Sequence, residues 1–206
     1  MPDAMETVAS GLGAARAAQV LLLPGWQGSG PGHWQSRWEQ LHGYTRVEQH
    51  DWDRPLRGDW TARLEEVLLD LPEAGSVFLV AHSLGCLLVA AWAAHSRHTQ
   101  RVAGALLVAP PDVRTPVLQP VLASWATLPL QGLPFPGVVV ASQDDPFCSM
   151  ARAHEFAQTW GAPLMDAGCA GHLNADSGLG DWPEGHAHLA RLLALSAAAA
   201  PSNASA

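Results

Sequence analysis

Runs of apolar residues alternate with stretches of helical periodicity along almost the whole chain, and that alternation limits the fold more than any single motif does. Strand-like runs lie at 19–25, 45–52, 76–82, 102–109, 138–142 and 163–167. The run at 19–25 (Gln-Val-Leu-Leu-Leu-Pro-Gly) and that at 76–82 (Ser-Val-Phe-Leu-Val-Ala-His) are continuous rather than alternating, as expected of strands buried on both faces of a parallel sheet. Helices are expected between them at 33–42, 60–71, 84–95, 150–160 and 182–198. In the first, Trp34, Trp38 and Leu41 recur at spacings of four and three and so share one face; in the second, Leu64, Val67, Leu68 and Leu71 form the stripe, and Pro72 stops it. Strand and helix in strict succession imply an α/β domain, a mostly parallel sheet of about six strands wrapped on both faces by right-handed crossovers. Ligand sites in such sheets lie beyond the C-terminal ends of the strands, which directs attention to the loops that follow them.

Three of those loops carry reactive side chains. Ala81-His82-Ser83-Leu84-Gly85 joins a strand directly to a helix, a turn that exposes and aims a serine hydroxyl. By itself Ser83 would serve equally well as a helix N-cap, and Ala81 departs from the glycine usual two residues before such a serine. Ser142-Gln143-Asp144-Asp145-Pro146 offers two carboxylates, of which Asp145 is preferred to Asp144, although Asp and Pro are also ordinary turn residues. Gly168 to Asn174 contains His172. The order Ser, Asp, His, each after a predicted strand, is the order of an α/β-hydrolase triad, and assigns Ser83 as nucleophile, Asp145 as orienting acid and His172 as general base. Such chemistry also requires backbone N–H donors facing the developing oxyanion. Leu84 at the start of the helix supplies one, and Trp26, after Pro24-Gly25 in the turn that follows the first strand, the other.

The same segments carry a family resemblance. Leu23-Pro24-Gly25 with Gly28-Ser29-Gly30-Pro31-Gly32-His33-Trp34-Gln35, the Ser83 and Asp145 loops, and Gly171-His172-Leu173-Asn174 through Trp182-Pro183-Glu184-Gly185 resemble the small serine hydrolases of the YdeN and retinoblastoma-binding-protein type. The likeness spans roughly residues 19 to 195. It implies a compact α/β-hydrolase with little or no lid, acting as a serine hydrolase or esterase, with the same three residues in the same roles and no cofactor.

Other function classes find little support. The 206 residues fit one domain, expected at 19–196, with 1–18 a flexible extension and 197–206 a low-complexity tail. Nineteen acidic against 11 basic residues give a net charge of −8 with no basic cluster, which argues against nucleic acid as a partner. No apolar run has the length of a membrane span, and the first 18 residues lack a basic segment followed by an apolar one. Cys86, Cys148 and Cys169 show no disulfide-framework spacing, so a reducing, cytoplasmic setting is expected. Ten histidines invite a metal hypothesis, but no Cys-x-x-Cys or His-Glu-x-x-His spacing occurs, and His186 and His188, two apart on a helix, are expected at the surface.

The expected partner is therefore a small-molecule acyl substrate. Residues 111–136, including Trp125 and Leu128, either wall its pocket opposite Trp26 or only cover the sheet, with a helical turn or two at 121–127. Hydrolysis of esters or related acyl compounds through an acyl-enzyme is the function expected, with a peptidase, a thioesterase or a hydrolase fold retained for protein binding as the alternatives.

Overall fold

The computed structural model describes residues 18–73, 75–127 and 131–199. In chain order the elements are β1 (Gln19–Leu23), α1 (Trp34–His42), β2 (Thr45–Arg46), α2 (Arg57–Asp70), β3 (Val77–His82), α3 (Leu84–Ala93), β4 (Val102–Val108), β5 (Gly137–Ala141), α4 (Met150–Trp160), β6 (Leu164–Asp166) and α5 (Pro183–Ala199). The strands form one sheet in the order β2-β1-β3-β4-β5-β6, and every pairing is parallel. The order reverses beside β1, so the helices that follow β1 and β3 lie on opposite faces and a crevice opens between the C-terminal ends of those two strands.

Side-chain alternation along the strands divides the interior into two layers. Val20, Leu22, Phe78, Val80, Leu106 and Val108 face α1 and α5, where Trp34, Trp38, Leu189 and Leu192 cover them. Leu21, Leu23, Leu79, Ala81, Ala105 and Leu107 face α2, α3 and α4. Every residue of α3 is buried, which explains a helix apolar on all sides. Of the α2 stripe, Leu64 and Leu68 are fully buried while Val67 and Leu71 pack at its margin.

The second strand is much shorter than the sequence suggests. Only Thr45 and Arg46 pair with β1, and Val47 adds one further bond to the Leu22 carbonyl. Beyond it the Asp51 carboxylate accepts from the amides of Asp53 and Arg54, and this Asx-type turn takes the chain off the sheet edge. Leu41, read with the buried face of α1, is exposed in the helix's last turn. The helical turn expected at 121–127 is a single 3-10 turn, Ala123–Trp125. Helix α5 runs to Ala199, three residues into the presumed tail; the rest of that tail and residues 1–17 lie outside the described residues. His186 and His188 are half-buried rather than on the open surface; His186 stacks on His42, and its Nε2 lies 2.8 Å from the Tyr44 hydroxyl. No helix among the described residues is long and apolar enough to cross a membrane.

Candidate active site

Ser83 sits in the one-residue turn between β3 and α3 with φ 53° and ψ −123°. Backbone of this kind costs a residue with a side chain about 1–3 kcal/mol, so the surroundings must enforce it. They do so from both flanks. The Ser83 amide donates to the Val108 carbonyl at 2.9 Å, and the Ser83 carbonyl accepts from Cys86 at 2.9 Å. The end of β1 presses against the turn so closely that only glycines fit: a Cβ on Gly85 would lie 2.2 Å from the Leu23 carbonyl oxygen, and one on Gly25 2.7 Å from the Ser83 Cβ.

The three side chains assigned from sequence come together around this turn. His172 Nε2 lies 2.8 Å from Ser83 Oγ, and Nδ1 lies 2.9 and 3.0 Å from the two carboxylate oxygens of Asp145. The Asp145 side chain is only 2% exposed, so its charge is directed at the imidazole rather than at water. The same carboxylate accepts from the Phe147 amide, which fixes its rotamer, and the Phe147 ring packs edge-on against His172. Because the Asp145 carboxylate can only accept, Nδ1 carries the proton and donates it, and Nε2 presents a lone pair to the Ser83 hydroxyl.

Asp144, the alternative acid, serves a neighbouring purpose. Its Oδ1 accepts from the Gly171 amide at 2.8 Å and lies 2.7 Å from Ser142 Oγ; these donors hold its carboxyl below the usual range. Ser142, fully buried at the end of β5, also accepts from the Ala170 amide and reaches the Gly168 carbonyl. The loop that carries His172 is thereby tied to the loop that carries Asp145.

Further buried polar groups complete the support. His82 Nε2 donates to the His172 carbonyl at 2.9 Å, and burial, then the neighbouring His33 and His172, push His82 well below the ordinary imidazole range, so it stays neutral. Trp34 donates from its indole to the Leu173 carbonyl at 2.8 Å. Gln35, with no exposure, donates to the carbonyls of Leu23 and Val80 and accepts from Ser29, joining β1, β3 and the intervening loop. His82 and Gln35 were not singled out in the sequence, because one polar residue in an apolar or glycine-rich segment has no periodicity to mark it.

Ser83 opens into a cleft of about 380 Å³. Trp26 and Leu84 both border it. The Trp26 amide makes no hydrogen bond among the described residues, and the Leu84 amide belongs to the first turn of α3, ahead of the helical ladder. Neither amide has a partner among the described residues. The Trp26 indole turns away to the Asp53 carbonyl. Residues 111–136 divide between the two tasks considered for them. Pro111, Leu118 and Leu122 line the cleft, whereas Trp125 is fully buried, donating to the Pro55 carbonyl and packing edge-on against Trp60. Trp125 therefore supports the fold and does not touch the cleft; Leu128 lies outside the described residues. No group of three or more His, Cys, Asp or Glu among the described residues is placed to hold a metal ion.

Known structures share this architecture. A YdeN-like hydrolase from Pectobacterium atrosepticum superposes with a TM-score of 0.76 at 29% identity, over 87% of this chain and 92% of that one. The ydeN gene product of B. subtilis gives 0.70 at 22% identity, over 86% and 100% of the two chains. Est1E from Butyrivibrio proteoclasticus, solved with ferulic acid bound, has the same fold, with a TM-score of 0.66 at 10% identity over 88% and 92%. Comparison with proteins of curated function returns no match. The family model described as serine hydrolase matches residues 20–191, from β1 through most of α5. The chain belongs to that serine hydrolase family.

Proposed function

We propose that the protein hydrolyses small carboxylic esters through an acyl-enzyme on Ser83. The observation that carries this reading is the continuous hydrogen-bonded line from buried Asp145 through His172 to Ser83 Oγ at the mouth of a cleft. As Ser83 Oγ bonds to the ester carbonyl carbon, His172 Nε2 takes its proton and Asp145 stabilises the resulting imidazolium. The carbonyl oxygen becomes an oxyanion facing the amides of Trp26 and Leu84. When the C–O bond to the alcohol breaks, His172 returns the proton to the leaving oxygen. Water, deprotonated by the same nitrogen, then attacks the acyl-serine; as the bond to Ser83 Oγ breaks, His172 gives that proton to Oγ and the acid is released. Ester rather than peptide cleavage is supported by the esterases among the structural neighbours, which include RhEst1 of a Rhodococcus species and a carboxylesterase of Bacillus subtilis.

The test is labelling by a fluorophosphonate probe together with turnover of p-nitrophenyl acetate. Wild-type protein should label and turn over, and both activities should survive EDTA. Ser83→Ala should lose labelling and at least about 10⁴-fold in rate. A Ser83→Ala protein that labels as fast as wild type would remove this serine from the mechanism. On a matched panel, oxygen esters should exceed thioesters and peptides.

A further inference from the structure

The strand order divides the cleft into unlike halves. Ser83 follows β3, with the β1 loop on one side and the β4 and β5 loops on the other. The second side is apolar, with Pro111, Leu118, Leu122 and Phe147. The first is Gln27, Gly28, Gly30 and His33, joined by Asn174 and Ala175 of the loop after β6. Of the polar side chains there, Gln27 is exposed and Asn174 Oδ1 accepts from the Asp176 amide, whereas His33 is buried and stands outside the Ser83–His172–Asp145 line.

Its protonation is fixed by its surroundings. Nδ1 accepts from the Gln35 amide at 3.1 Å and so caps the N-terminus of α1. Burial, and then the nearby charge of Arg46 and His172, push its pKa down to about 3. A neutral ring that accepts at Nδ1 must carry its single proton on Nε2. That Nε2–H is buried and has no partner among the described residues, although the residue is only 4% exposed and buried donors are almost always satisfied. What lies against the ring is His82, edge to face at 4.6 Å, whose own Nε2 is committed to the His172 carbonyl.

We infer that His33 Nε2–H is a substrate donor, binding a neutral oxygen of the ester other than the reacting carbonyl, so that the enzyme selects esters with an ether, hydroxyl or second carbonyl oxygen in the half that seats against the Gly28–His33 loop. His33 borders the same cleft as Ser83, and a substrate half seated along the Gly28–His33 loop lies against it. An all-hydrocarbon ester of the same shape leaves this donor unmatched, and polar sites discriminate most strongly against ligands that lack the expected partner. The oxygen can belong to the acyl chain or to the alcohol, both of which extend from the carbon held at Ser83.

The inference rests on the ester-hydrolase reading, and the experiment keeps the two separable. In one arm, p-nitrophenyl esters of methoxyalkanoic acids, with the ether oxygen moved along the chain, are compared with the alkanoates in which CH₂ replaces that oxygen. In the other, methoxyalkyl acetates are compared with alkyl acetates. The quantity read is the oxygen-to-methylene ratio of kcat/KM in each variant divided by that in wild type, which cancels the intrinsic reactivity of the esters. His33→Asn keeps an N-cap acceptor near Nδ1 but has no group at Nε2; His33→Gln can place an amide N–H near Nε2 but is a poor cap. In one arm and at one oxygen position, His33→Asn should reduce the ratio about 3- to 10-fold, and His33→Gln should restore part of it. The arm that responds identifies the half of the substrate that seats there.

Binding supplies a readout that needs no turnover. In Ser83→Ala protein, the ¹⁵N-detected Nε2–H resonance of His33 should move with the methoxy ester and stay in place with its hydrocarbon match. Turnover in wild type with ratios unchanged in both arms and no resonance shift overturns the inference, leaves the hydrolase reading standing, and assigns the N–H to the face of the His82 ring. A resonance shift without labelling or turnover keeps the donor and rejects the hydrolase reading. Neither shift nor turnover rejects both.

Discussion

Asp144 and Asp145 are neighbours in sequence, yet their carboxylates face different loops. Asp145 meets the His172 ring, and Asp144 meets the backbone that carries that ring. Asparagine retains an oxygen that can accept from Gly171 and Ser142, whereas at Asp145 it removes the charge that stabilises the imidazolium and favours the wrong tautomer. Asp145→Asn should therefore lower kcat about 10³- to 10⁴-fold, while Asp144→Asn remains within about tenfold of wild type. Equal losses would move the acid's role away from Asp145. His33 also makes stability depend on pH. The folded protein holds it near 3, while the unfolded imidazole titrates near 6.5, so between these values the unfolded chain binds the extra proton. Its contribution is complete above the unfolded value and falls as pH falls. From about pH 7 to about pH 5 it should amount to about 2 kcal/mol, read from urea unfolding as the difference between wild type and His33→Asn. A variant with the same pH slope as wild type would contradict this. At this scale the meeting of Ser83, Asp145 and His172 was legible because each follows a strand and the three come in a fixed order. His33 and His82 were not, because the tautomer and burial that make them informative depend on contacts between β3, α1 and the His172 loop.

Elements were easiest to read where burial on both faces leaves a continuous apolar run. β3 and β4 lie within one residue of their expected ends, and the α4 bounds are those expected. The edge of the sheet was harder. Residues 45–52 carry only Thr45, Val47 and Trp52 as apolar or β-branched side chains, and a strand paired on one side only is readily ended by turn chemistry, here the Asp51 carboxylate. What no pattern of hydrophobicity reveals is how closely elements approach. Gly85 reads as part of a turn motif, and the structure adds that β1 runs against it with no room for a methyl group. Gly85→Ala should therefore destabilise the protein by at least about 2 kcal/mol, because backbone rather than a movable side chain must yield. Gly58→Ala is the matched control: it lies near the start of α2 with nothing within 4 Å of its Cβ, and it should leave stability unchanged or raise it by up to about 1 kcal/mol. Urea midpoints decide this, and a Gly85→Ala protein as stable as wild type would mean that β1 and α3 can separate at little cost.

Across the whole molecule, the absence of a large insertion between β4 and β5 sets the shape of the site. The residues described there spend Trp125 on the core and give Pro111, Leu118 and Leu122 to the cleft, so the wall is one layer of side chains rather than a lid. A cleft of about 380 Å³ is near the small end for ligand sites, and it must hold the acyl group together with the reacting carbonyl. While methylenes are still being buried against that wall, each can contribute about 0.8 kcal/mol to the transition state, about fourfold in kcat/KM. Once the chain passes the wall, further methylenes remain in water and contribute nothing. On p-nitrophenyl esters from acetate to palmitate, kcat/KM should rise over the first members, level off at or before octanoate, and then fall or stay flat. Leu122→Ala removes part of the wall and should depress the rising part of the series more than the acetate rate. Efficiency that climbs steadily beyond octanoate would show that long chains find apolar cover elsewhere, and would contradict a cleft bounded by this single layer.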